Sequence, residues 1–65
     1  HKIEELIQHH KSACEEVKEL LNELNGLSDI KMSEESNNAL INAKIRAEEE
    51  HAWRGVFISQ LEDLL

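Results

Sequence analysis

The densest run of chemically capable side chains in this sequence is Glu48-Glu49-Glu50-His51, with His10 as a second imidazole far upstream. Glu48-x-x-His51 is the spacing that sets a carboxylate and an imidazole on one face of a helix, as di-iron bundles use it. A metal held there needs a further carboxylate from another element, and Glu15, Glu16 and Glu19 are the candidates. The bland reading of this region is a satisfied histidine–glutamate layer that fixes register, and Glu-Glu-Glu-His also arises easily by chance in an acidic chain. Nucleophilic chemistry finds little footing. Cys14 falls among apolar positions with Glu15 and Glu16 beside it, the opposite of the electropositive setting that activates a thiol. There is no glycine-rich phosphate loop, and the expectation is a protein that is not an enzyme.

Two helices must position these groups. Residues 38 to 58, NALINAKIRAEEEHAWRGVFI, contain no proline and recur to alanine at Ala39, Ala43 and Ala47. They read as continuous helix. At about 100° per residue, Ala39, Leu40, Ala43, Ala47, Phe57, Ile58, Leu61 and Leu65 share one face. A thinner apolar stripe, Ile41, Ile45, Ala52 and Val56, runs along roughly the opposite side. One partner helix covers the first stripe but not both. Upstream, Ile3, Leu6, Ile7, His10, Ala13, Cys14, Val17, Leu20, Leu21 and Leu24 form a wide seam for an antiparallel neighbour. The opposite face of that helix is Lys and Glu, with Glu15 and Lys18 three apart.

The spans expected are a helix over about 2–24, a connection over 25–33 and a helix over about 34–64, one domain over 1–65. Asn25-Gly26 is expected to end the first helix, with Gly26 in the left-handed C′ conformation. Ser33 is the expected cap of the second, with Asp29 as the alternative, and Glu34 and Glu35 complement its dipole. Folding at 28–30 sets Leu20 against Leu40, Val17 against Ala43, Ala13 and Cys14 against Ala47, and Ile3 against Phe57. His10 then comes level with Glu50 and His51, a polar layer inside an apolar seam that fixes register if its members bond one another. In this register Leu61, Leu64 and Leu65 pass beyond the first helix and need a second chain.

Composition bounds the rest. A chain of 65 residues with one cysteine has no intramolecular disulfide and buries little core alone. Association is the remaining staple. No apolar run is long enough to span a membrane and no secretory leader pattern is present, so the expected location is the cytoplasm. With 14 acidic against 7 basic residues, a net charge of −7, a broad nucleic-acid-binding face is excluded. A small anion held by a few placed cations is not.

Ala43-Lys44-x-Arg46-x-Glu48-Glu49-x-x-x-Trp53-x-Gly55-x-x-Ile58 resembles the second helix of the phage anti-CBASS cyclic-nucleotide sponges. His10, Val17, Lys18, Glu19 and Leu20 are similar to the helix before it, so the resemblance covers roughly residues 10–24 and 43–58. It departs from the family at Ala47 and Ala52, at His10 in place of an aromatic residue, and in a longer connection. The resemblance implies hairpins that assemble into oligomers and sequester cyclic oligonucleotide immune signals between subunits, in a host cell's cytoplasm. It implies ligand-binding roles for the cations Lys18, Lys44, Arg46 and Arg54 and for the flat groups Trp53 and His10. A smaller part of the second helix, Glu48-x-x-His51, also resembles two-helix encapsulated ferritins, which would make this a metal-binding bundle with Glu48 and His51 as ligands.

The expectation is therefore an all-α antiparallel two-helix hairpin that assembles into a helical-bundle oligomer, with no resident cofactor or metal. Its partners are other copies of itself and a cyclic nucleotide, not nucleic-acid polymers or membranes. The alternatives are a di-iron-like bundle and a small helical protein-interaction module.

Overall fold

The computed structural model describes residues 1–65, save the side chain of Asp29, so a capping role for that side chain lies outside the described residues. Helix α1 spans Lys2–Gly26, a 3-10 turn spans Leu27–Asp29, and α2 spans Glu34–Glu62. The two helices pack side by side as an antiparallel hairpin, an all-α fold. Its extents of 48 × 14 × 12 Å describe a rod two helices wide.

Ser33 caps α2 as expected, its Oγ accepting the Ser36 backbone N–H at 3.2 Å, and Glu34 and Glu35 occupy the first turn. The other end of the connection differs from expectation. Gly26 is right-handed at φ −65° and ψ −21°, and no glycine has a positive φ. The chain stays helical through Gly26 and tightens into the 3-10 turn, where the Ile30 N–H donates to the Leu27 carbonyl. Those bonds satisfy part of the helix end, so no left-handed residue is needed. The chain turns away only at Ile30, which is extended at ψ 129°.

That later reversal moves the register. Ile7, Ile58 and Leu61 form a buried cluster with Ile3 and Cys14 against it, and His10 lies on Phe57. Each α1 residue at this end therefore meets α2 about one helical turn later than a fold at 28–30 gives. Two expectations fall with it. Phe57 packs on His10, and Leu61 is covered by α1, while Leu64 and Leu65 beyond it stay exposed. The remaining core is Val17, Leu40 and Ala47. Leu6 and Leu20, at one edge of the wide α1 seam, stay exposed because one facing helix covers only the seam's centre.

Candidate functional site

Among the described residues, polar chemistry enters the helix interface around Arg54. Its Nε and Nη2 both donate to Glu50 Oε1, at 3.0 and 2.9 Å, across one turn of α2. Its Nη1 lies 2.8 Å from His10 Nδ1 on α1. A guanidinium only donates, so Nδ1 accepts and the proton of the neutral ring sits on Nε2. The guanidinium carbon also stands 4.9 Å from the centroid of the Trp53 ring, in reach of a cation–π attraction.

Aromatic contacts complete the cluster. His10 meets Phe57 edge-on at 4.9 Å and Trp53 at 6.1 Å, and Trp53 meets Phe57 at 6.3 Å. Two i, i+4 pairs on α2, Glu50 with Arg54 and Trp53 with Phe57, are preset by helix geometry before α1 docks. His10 joins both. The polar layer thus has a different membership from the one the sequence implies: His10 and Glu50 are linked through Arg54, while His51 is exposed and outside it.

The six expected ligand residues divide. His10, Trp53 and Arg54 come together. Lys44 is ten residues before Arg54 on α2, about 15 Å along the helix. Its Nζ donates to Ser28 Oγ at 2.7 Å and straps the connection to α2. Lys18 and Arg46 are exposed and make no hydrogen bond or ion pair among the described residues. One chain therefore does not gather four cations. Phe57 and Ser28 are participants that sequence reasoning missed; the Trp53–Phe57 spacing carried the signal for the first, and nothing did for the second. As for metal, no three His, Cys, Asp or Glu side chains converge among the described residues, and Glu48 and His51 are both exposed. Among the described residues, no helix is long and apolar enough to cross a membrane.

Around this cluster α2 is bare. Ile41, Ile45, Trp53 and Val56 are 45–59% exposed although α2 is the helix richest in core residues. The surface area registers the same thing. A folded monomer of this mass exposes about 4,200 Å², whereas this chain exposes 5113 Å². The excess, about 900 Å², goes with the rod shape, which leaves one side of each helix open to water. No family model, no curated protein and no solved structure matches the chain.

Proposed function

We propose that this chain is a non-enzymatic binding module that works as an assembly of hairpins rather than as a single one. The observation that carries this reading is the bare apolar stripe of α2, Ile41, Ile45, Ala52 and Val56, on the helix whose other side already holds Leu40, Ala47, Ile58 and Leu61. Apolar exposure of this extent on so small a chain marks an association surface. The test is Ile45→Glu and Val56→Glu in native mass spectrometry. A carboxylate placed in a dry contact has no partner there, so both variants run as monomers while Gln8→Glu, at an exposed α1 position away from this side, keeps the wild-type mass. Unchanged subunit counts in both would refute the reading.

A second reading, sequestration of a cyclic oligonucleotide between hairpins by a phage-type sponge, is favoured by one observation. Three flat side chains and a guanidinium share one cluster, with Trp53 still half-exposed for stacking. Arg54 has five N–H donors and uses three, leaving two for a phosphate oxygen. Each charge-assisted contact contributes about 1.5–3 kcal/mol. Calorimetric titration with cyclic di- and trinucleotides should then show binding that weakens at least about tenfold in Arg54→Ala and Arg46→Ala. No heat below about 100 μM removes this second reading and leaves the first intact.

A further inference from the structure

The bare stripe of α2 has a symmetry of its own. Ile41 and Val56 are equally distant in sequence from the point between Glu48 and Glu49, and so are Ile45 and Ala52. All four lie within one 60° sector of the helix, turned about 150° from the side that α1 covers, as helix geometry requires at about 100° per residue. A two-fold axis through that midpoint, perpendicular to α2, maps the stripe onto itself. We infer that α2 carries a self-complementary interface: a second copy packs its α2 antiparallel on this stripe, with the axis crossing between Glu48 and Glu49.

An isologous contact requires that when residue i meets residue j, j also meets i. Here Ile41 meets Val56 of the second copy and Ile45 meets Ala52 of the second copy. Each pairing sets a larger side chain against a smaller one, the combination that interdigitates without a void. A parallel arrangement instead sets Ala52 on Ala52 and Ile45 on Ile45, a gap beside a bulge. Glu48 and Glu49 flank the stripe on its two sides, where the axis brings each nearly level with its own counterpart in the second copy, so these carboxylates oppose the contact and are tolerated only because they border it in water. Arg46 is on the Glu49 flank, exposed and without an ion pair among the described residues. The antiparallel axis brings it nearly level with Glu49 of the second copy, and does so twice. In the resulting four-helix unit both α2 helices are central and the charged backs of both α1 helices face water.

This inference rests on the assembly reading above, and the experiment separates the two. In a Cys14→Ala background, a nitroxide is attached at His51→Cys or, separately, at Glu62→Cys, both exposed positions. Pulsed electron-paramagnetic-resonance distances are then measured between copies. The antiparallel pair offsets the two labels along the helix by about 8 Å at residue 51 and about 40 Å at residue 62. A short distance at 51 and a long one at 62 is the expected result. Equal distances at both sites mean a parallel or unrelated contact and overturn this inference alone. Absence of any distance between folded copies overturns it together with the assembly reading. A cysteine-free test guards against disturbed labels. Arg46→Glu and Glu49→Arg each weaken association by about fivefold, and the two together recover most of it. A double variant weaker than either single one would also overturn the axis.

Discussion

Leu61→Ala is the sharpest test of the hairpin register. Leu61 is 8% exposed and packs with Ile7 and Ile58, whereas Leu65, one turn later, is 65% exposed. If the chain reversed at 28–30, Leu61 would hang past α1 and its truncation would cost almost nothing. In the observed register the truncation removes buried apolar atoms and leaves a cavity, for which Leu→Ala changes cost about 2–5 kcal/mol. The core here is only two helices deep, so water and neighbouring side chains relax into the gap, and about 2 kcal/mol is the appropriate end of that range. Against a total of about 3–10 kcal/mol for a chain this long, that is a large fraction. The assay is urea unfolding followed by circular dichroism at one fixed protein concentration. Leu61→Ala should lower the midpoint by about 1–2 M, taking a slope near 1 kcal/mol per molar for so small a chain. Leu65→Ala should stay within about 0.5 kcal/mol of the parent. Equal midpoints for Leu61→Ala and Leu65→Ala would show the register to be wrong.

Three further outcomes follow from the geometry. Gly55→Ala, mid-helix in α2 with nothing within 4 Å of an added Cβ, should raise stability by about 0.5–1 kcal/mol, read as a higher urea midpoint; a fall would mean the position is crowded in the assembly. Arg54→Ala removes an ion pair whose side chains are 17% and 41% exposed, together with the contact to Trp53. With the half-open Glu50 screened by water the loss is about 1 kcal/mol, a melting temperature lower by about 4–8 °C, while Arg54→Lys recovers only part because it cannot serve both partners; an unchanged melting temperature refutes the clamp. Association should tighten as salt rises from about 0.02 to 0.5 M, because copies of net charge −7 repel and the Debye length shrinks from about 20 to 4 Å; weaker sedimentation-measured association at high salt would contradict this.

Much of this architecture was legible in the residues themselves. The absence of proline, the Ser33-Glu34-Glu35 start and the two apolar periods gave both helices, and the second stripe on α2 is bare where its angle put it. Register was not legible, for a physical reason. A seam that repeats about every turn stays apolar over apolar when one helix slides by one turn, so Leu and Ile positions do not discriminate between alignments. Only unusual side chains do. His10 could satisfy itself against Glu50 and His51 or against Arg54, and the sequence holds no reason to prefer one. The deciding feature was the path after Asn25, where Gly26 continued as helix and the 3-10 turn carried the reversal further along the chain. The aromatic part of the cluster was half-visible, since Trp53 and Phe57 are one turn apart. The Lys44–Ser28 strap depends on that same path and had no sequence signature.

The central claim is that the hairpin is one part of an assembly. Sedimentation equilibrium of the unmodified chain at micromolar concentration, with circular dichroism on the same samples, tests it most directly. The account predicts a mass at least twice 7.5 kDa wherever the helical signal is present, with mass and helicity falling together on dilution. A fully helical species of single-chain mass across that range would contradict it.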